Sequence, residues 1–340
     1  MADGVTAPRA ISSPRGTNAV LGGGLLLILA PWTGEYLLGN VPLDLFWALP
    51  FLVPLYGGGA LLIREVARRR GLGWLSILGL GAAYGVIEAG LVDQSLFNGE
   101  FGELDFSATW IPALGLSAYD AIGFVVGHAV WSIGLPIAAA ERLAAPAGPQ
   151  RPWLGPVGLA CAAVLYGFGC WLIHQDVAAT EGFAATAGQR AGASAVAAVL
   201  IVVSLVRRRG RGTTAPAAPR RWPPLLVGLG AFVLASGFVA MPETWAGVAG
   251  KLVLLVAALG LATTAAPRLD GSWQAFALIA GGYLTYAWLG FALTSLIRPD
   301  SDLALIGNVL FAAMTIALLG VVALRTRAAE ALPPVVRPQV

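Results

Sequence analysis

Ten apolar segments of about 20 residues each follow one another along the chain. An α-helix needs about 20 residues to cross the hydrocarbon core of a bilayer, and these runs are continuously apolar, unlike the alternating strands of a barrel. Only 11% of the residues are charged, whereas a soluble domain carries about 25%. We therefore predict an all-α, polytopic integral membrane protein with about ten transmembrane helices, at 19–39, 45–63, 74–91, 121–140, 153–173, 190–206, 224–241, 247–265, 273–296 and 303–324.

The distribution of basic residues predicts the orientation. If the ten segments span in turn, eighteen of the 21 arginines and lysines fall on the side that holds both termini, and three fall on the other side. Loops on the cytoplasmic side of membrane proteins carry an excess of these residues. We therefore expect both termini to be cytoplasmic and the protein to be a multi-pass component of the cell membrane, the inner or plasma membrane of a bacterium.

The spacing of the segments predicts the domain organisation. A linker rich in arginine, glycine and proline separates six spans from four. The predicted parts are a cytoplasmic tail (1–18), a six-helix membrane domain (19–206), a basic cytoplasmic linker (207–224), a four-helix membrane domain (225–324) and a second cytoplasmic tail (325–340).

The longest outer connection, Val92–Asp120, is acidic and aromatic and contains no lysine or arginine. A connection of that length is usually functional or partly structured. Either it folds back onto the membrane surface as a lid or re-entrant element, or it is a solvated acidic loop.

Three ionisable residues inside the spans are the best candidates for a functional site, because burying such groups in hydrocarbon costs several kcal/mol unless they face a cavity or a partner. They are Glu35, Glu88 and His128, all in the outer half of the first four spans. Glycine pairs spaced four residues apart, Gly81 and Gly85 on the third helix and Gly123 and Gly127 on the fourth, would let these two helices approach closely. We therefore predict that Glu88 and His128 face each other, either as a catalytic or proton-carrying pair or as a buried hydrogen-bonded pair that fixes helix packing.

Further polar residues accompany this pair. Tyr84 shares a helix face with Glu88, and Ser132 shares one with His128. His174, at the outer end of the fifth span with Cys170 one turn below, could join Glu88 and His128 in holding a divalent metal or in transferring protons. The remaining polar candidates are Glu35 and Asp93.

Glu88 near a helix end, followed by Phe124-xxx-His128 on the next helix, resembles the first two motifs of the CPBP intramembrane endopeptidases, the CAAX prenyl protease type. This resemblance implies a glutamate-activated water, assisted by histidine, that cleaves a peptide within the membrane. The chain departs from that pattern because Ala89 replaces the second glutamate, Val92 replaces the arginine, and Ala178 stands where the motif around His174 needs Asn or Asp. The stretch 84–98, together with the His128 helix, also resembles an uncharacterised family of bacterial and archaeal multi-pass membrane proteins.

Two classes of function therefore remain. The first is an intramembrane enzyme, a CPBP-like hydrolase or lipid-modifying enzyme, in which Glu88 and His128 act as catalytic residues on a lipid-soluble or membrane-spanning substrate. The second is a proton- or cation-coupled transporter or permease that uses Glu35 and Glu88 as membrane-embedded carboxylates. The clustering of Glu with His favours the enzyme, and the ten spans favour the transporter. The expected partners are membrane lipids; the arginines are juxtamembrane, and we expect no nucleic-acid binding.

Overall fold

Ten apolar helices make up most of the computed structural model, which describes residues 15–102, 104–144, 151–206 and 220–331. Within those residues, nine helices are long and apolar enough to cross a membrane, and a tenth, α7, is shorter. The predicted all-α polytopic fold is confirmed, and each predicted span coincides with a helix. The helices are α1 (Asn18–Tyr36), α2 (Leu43–Arg69), α3 (Trp74–Val92), α4 (Ala118–Ala144), α5 (Pro156–Glu181), α6 (Ala187–Val206), α7 (Pro224–Val239), α8 (Trp245–Thr264), α9 (Ser272–Ile297) and α10 (Asp302–Ala331).

The outer connection between α3 and α4 contains two short antiparallel hairpins. Strand β1 (Glu100–Phe101) pairs with β2 (Leu104–Asp105), and β3 (Trp110–Ile111) pairs with β4 (Leu116–Ser117). Phe97 and Phe106 are buried, and the Ser117 side chain caps α4 by accepting a hydrogen bond from the backbone N–H of Asp120. The connection is therefore partly structured and packs onto the helices.

The core lies among α1, α2, α3, α4, α9 and α10, whereas α5, α6 and α8 expose most of their surface. The two predicted membrane domains pack against each other through Trp131 of α4. Its indole N–H donates to the Gly282 carbonyl at 2.9 Å, and its ring stacks on Tyr286 with centroids 4.4 Å apart. Most of the predicted linker and parts of both predicted tails (1–14, 207–219 and 332–340) lie outside the described residues.

Each of the first four helices contains one π-helical turn. These turns are Trp32–Tyr36, Val53–Gly57, Glu88–Val92 and His128–Gly134. Pro31 precedes the first and Pro54 lies inside the second, and proline favours such an irregularity because it lacks the N–H that continues an α-helix. Single π-helical turns inside α-helices are often found at functional sites.

Candidate functional site

Glu35, Tyr56, Glu88 and His128 form one continuous hydrogen-bonded group, which we call the buried quartet. Each residue comes from a different π-helical turn, so that α1, α2, α3 and α4 supply one side chain each. Glu35, Glu88 and His128 lie nearer to the ends of α1, α3 and α4 that the arginine distribution predicts to face outside, and Tyr56 lies at the middle of α2. Glu35, Tyr56 and Glu88 are buried, and the His128 side chain is 13% exposed.

Two glycines of α3 let the pair Glu88 and His128 meet. A Cβ at Gly85 would lie 2.9 Å from the Cβ of His128, and a Cβ at Gly81 would lie 2.9 Å from the Cα of Ala129. This close approach is the predicted one. It brings His128 Nε2 within 3.1 Å of Glu88 Oε2, and the predicted contact is therefore present.

The second glycine pair, Gly123 and Gly127, does not contact α3. The prediction that this pair helps α3 and α4 to approach closely was therefore wrong. A Cβ at Gly123 would lie 3.5 Å from Lys251 Nζ, and one at Gly127 would lie 3.4 Å from Tyr286 Oη. Successive residues of a helix point about 100° apart. Because His128 and Ala129 face α3, Gly127 points towards α9 instead.

The tautomer of His128 follows from its second contact. His128 Nδ1 lies 2.7 Å from the carbonyl oxygen of Phe124, which can only accept a hydrogen bond, so Nδ1 carries a proton. The contact between Nε2 and Glu88 then contains one further proton, located either on the imidazole or on the carboxyl group.

Tyr56 connects the two glutamates. Its hydroxyl forms a hydrogen bond with Glu35 Oε1 and lies 3.1 Å from Glu88 Oε1. A single O–H can donate along only one of these contacts at a time. For both to be hydrogen bonds, the other glutamate must be protonated and donate to the tyrosine oxygen. The geometry therefore fits a state in which Glu35 and Glu88 share one proton.

Asn40 extends the quartet to the surface. Its side-chain amide donates to Glu35 Oε2 at 2.6 Å, and Asn40 itself is exposed just beyond the end of α1. Glu35 is therefore separated from the protein surface by a single exposed side chain.

Tyr84 and Ser132 surround the quartet without forming part of it. The ring of Tyr84 packs 5.7 Å from the imidazole of His128 and 6.0 Å from the ring of Tyr56, but its buried hydroxyl has no hydrogen-bond partner among the described residues. Ser132 is buried against α1, where a Cβ at Gly34 would lie 2.7 Å from its Oγ.

Asp93 lies directly after the π-helical turn of Glu88. Its Oδ1 accepts a hydrogen bond from the backbone N–H of Ser95 at 2.9 Å. Burial raises the pKa of the Asp93 carboxyl well above its ordinary value, and the nearby charge of Glu88 raises this pKa further.

His174 contacts the backbone at the end of the π-helical turn of Glu88, and not the side chains of the quartet. Its Nδ1 lies 2.8 Å from the backbone carbonyl of Val92. In the part of the chain that the structure describes, no group of three or more His, Cys, Asp or Glu residues is placed to hold a metal ion. The predicted set of Glu88, His128 and His174 is therefore not assembled as a metal site.

Sequence reasoning missed Tyr56, which joins the two carboxylates that it did identify. A tyrosine inside an apolar segment is common and carries no charge at neutral pH, so it was not distinctive by residue type. The available signal was local: Pro54 and the three glycines 57–59 flank Tyr56 within a predicted span, which indicates an irregular helix there.

The chain also matches a known family. The model of an uncharacterized membrane protein family matches residues 24–336, which include all four residues of the quartet. No curated protein and no solved structure matches the chain. The family match supports the predicted resemblance to uncharacterised multi-pass membrane proteins, whereas the resemblance to the CPBP endopeptidases stays a prediction. Since the match covers most of its length, this chain belongs to that uncharacterized membrane protein family.

Proposed function

We propose that this protein is a proton-coupled membrane transporter and that the buried quartet is its proton-binding site. The observation that carries the proposal is the position of Tyr56, whose single hydroxyl bridges carboxylates from two different helices. A structural ion pair between Glu88 and His128 would not need that bridge. A site that moves a proton between two carboxylates does.

The proton transfer can be written in full. In one state Glu35 is protonated and donates to Tyr56 Oη, while the Tyr56 hydroxyl donates to the Glu88 carboxylate. The tyrosine proton then moves to Glu88 as the Glu35 proton moves to the tyrosine oxygen, so one O–H bond breaks and one forms at each step. Tyr56 ends unchanged, and one proton has passed from Glu35 to Glu88.

His128 balances the charge of the quartet in both states, whether the shared proton is on Glu35 or on Glu88. With one proton on the two glutamates and a second on Nε2, the quartet contains one carboxylate and one imidazolium and is neutral as a whole. A neutral group is far less costly to bury in the membrane than an uncompensated charge. A membrane-embedded site with this property is suited to loading and unloading protons.

The experiment is a pH jump applied to proteoliposomes on a solid-supported membrane. Proton binding at the quartet should give a transient current, and Glu88→Gln should reduce its amplitude about tenfold. The matched control is Glu100→Gln, which neutralises an exposed carboxylate of the outer hairpin and should leave the current unchanged. A full-sized current in both Glu35→Gln and Glu88→Gln, or no current in the unaltered protein, would refute the proposal.

A second candidate function is an intramembrane hydrolase, CPBP-like or lipid-modifying. The observation that favours it is the direct 3.1 Å contact between Glu88 and His128, an arrangement suited to general acid–base catalysis. A fluorogenic transmembrane peptide and a fluorescent phospholipid are suitable probes. If this protein is a hydrolase, His128→Ala abolishes their turnover while Tyr56→Phe retains it, whereas a proton carrier loses its pH-jump current in Tyr56→Phe.

The location and the partners belong to the same proposal. The distribution of eighteen basic residues to three supports insertion in a cell membrane with both termini in the cytoplasm. The exposed apolar surfaces of α5, α6 and α8 are suited to contact with membrane lipids. The transported or cleaved substrate is proposed to be lipid-soluble or membrane-spanning.

A further inference from the structure

A second buried polar group lies near the opposite ends of the same helices. Arg64, Glu65 and Arg68 of α2 and Glu141 of α4 form what we call the inner cluster. The side chains of Arg64 and Glu65 are 0% exposed and that of Glu141 is 4% exposed. The arginine distribution places this end of the bundle at the cytoplasm.

Charge pairs hold the inner cluster together. Arg68 forms a two-pronged pair with Glu141, in which both nitrogen–oxygen distances are 2.7 Å. Arg64 Nη1 lies 2.6 Å from Glu65 Oε1, and Arg64 Nε lies 3.1 Å from Glu141 Oε1. The cluster therefore ties α2 to α4.

The inner cluster also binds the chain that leads into α5. The carboxylate of Glu65 accepts hydrogen bonds from the backbone N–H groups of Trp153 and Leu154 at 2.8 and 3.0 Å. The guanidinium of Arg64 lies 3.2 Å from the centre of the Trp153 ring, and that ring packs on α1, where a Cβ at Gly22 would lie 2.7 Å from it. Four helices, α1, α2, α4 and α5, thus meet at this cluster.

An apolar layer separates the inner cluster from the buried quartet. At about 1.5 Å per residue, Tyr56 and Arg64 are about 12 Å apart along α2, and His128 and Glu141 are about 20 Å apart along α4. Fully buried apolar side chains lie in between, among them Leu26, Ala30, Ala60, Ile133 and Ile137.

The two ends of the bundle therefore differ. Towards the outside, the quartet reaches exposed Asn40 through one hydrogen bond. Towards the cytoplasm, the apolar layer and then the inner cluster cover the quartet. A proton bound from outside can reach the cytoplasm only if the helix ends that meet at the inner cluster move apart.

We propose that the inner cluster is the cytoplasmic gate of the protein, closed in this structure and opened when its ion pairs break. The proposal rests on the proposed transport function, because that function requires the quartet to communicate with each side in turn. Fully buried ion pairs contribute little net stability compared with apolar packing, but losing one partner of such a pair is costly. An arrangement of this kind is suited to switching between two discrete packings.

The test is the accessibility of Ala60→Cys to a membrane-impermeant thiol reagent added to inside-out vesicles. The protein for this test carries Cys161→Ser and Cys170→Ala, so that the introduced cysteine is its only thiol. With the inner cluster intact the cysteine should be protected, and Glu141→Gln should increase its labelling rate at least tenfold. Asp270→Asn, which neutralises an exposed carboxylate of the loop between α8 and α9, is the matched control and should not change the rate.

A second variant keeps the test decisive if Glu141→Gln does not fold. Arg68→Gln removes the two-pronged pair at the rim of the cluster, where the Arg68 side chain is 8% exposed, and leaves Arg64 next to Glu141. Unchanged protection of Ala60→Cys in a folded Glu141→Gln or Arg68→Gln protein would overturn the proposed gate. Labelling does not depend on proton movement, so faster labelling without any pH-jump current would support the gate and refute the transport function separately.

Discussion

Replacing Tyr56 by phenylalanine removes one oxygen atom from the buried quartet and leaves the aromatic ring in place. Tyr56 is 3% exposed, and its hydroxyl makes two hydrogen bonds, one to Glu35 and one to Glu88. Side-chain hydrogen bonds inside membrane proteins contribute about 0.6 kcal/mol on average and at most about 1.7 kcal/mol each. The free energy of unfolding should therefore fall by about 1–3 kcal/mol, which corresponds to a roughly 5- to 150-fold change in the unfolding equilibrium constant.

The assay is reversible unfolding of the purified protein in mixed micelles by increasing amounts of a denaturing detergent. Tyr84→Phe is the matched control, since it also removes a buried tyrosine hydroxyl beside His128, but one without a hydrogen-bond partner in the described residues. That variant should be as stable as the unaltered protein or more stable, because it removes an unpaired polar group. The Tyr56→Phe protein should also lose its pH-jump current, whereas the control keeps it. Equal stability and equal current in the two variants would refute the bridging role of Tyr56.

Three further predictions concern helix packing, charge and topology. Gly85→Val should lower the free energy of unfolding by about 1–3 kcal/mol, because the added side chain overlaps His128. The same variant should also reduce the crosslinking of cysteines placed on the facing sides of α3 and α4. Folding raises the pKa of Asp93 above its unfolded value, so the free energy of unfolding falls as the pH rises from the unfolded pKa of this carboxyl to its folded pKa. Asp93→Asn should therefore raise the melting temperature above about pH 4 and have little effect below it. An equal effect at all pH values would contradict this. In a chain without its native cysteines, Glu100→Cys should be labelled from outside intact cells and a cysteine in the linker 207–224 should not; labelling of the linker would invert the predicted topology.

The sequence was sufficient to predict the helices and one contact of the site. Continuous apolar segments of span length have few alternative structures in a membrane, so all ten predicted segments correspond to helices. The contact between Glu88 and His128 followed from two facts, namely that ionisable groups in hydrocarbon need partners and that Gly81 and Gly85 allow a close approach. The orientation in the membrane stays a prediction.

The rest of the quartet depends on tertiary packing that the sequence does not encode locally. Glu35 was recognised as an isolated polar candidate, but nothing in its own segment indicates that it meets Tyr56 of the next helix. The π-helical turns explain part of this failure. A regular period of 3.6 residues no longer describes which side chains share a face once a helix contains such a turn.

The inner cluster was missed for a different reason. Glu65 and Glu141 lie at helix ends beside arginines, and from sequence alone such residues look like solvated charges at the membrane surface. Their burial is produced by the return of the chain at Trp153 and Leu154, whose backbone N–H groups bind Glu65. A contact between residues that are 88 positions apart cannot be read from helical spacing.

The four π-helical turns have a consequence for insertions and deletions. A π-helical turn contains one more residue between hydrogen-bonded partners than an α-helical turn does, so deleting one residue there restores a regular helix without rotating the parts on either side. Elsewhere in α1–α4, the same deletion would turn every following side chain by about 100°. Shortening the chain by one residue at Trp32–Tyr36 or Val53–Gly57 should therefore preserve the helix bundle while removing a quartet residue from its place. Family members of this kind would be recognisable from single-residue gaps at these turns, and they would share the architecture of this protein without the buried quartet.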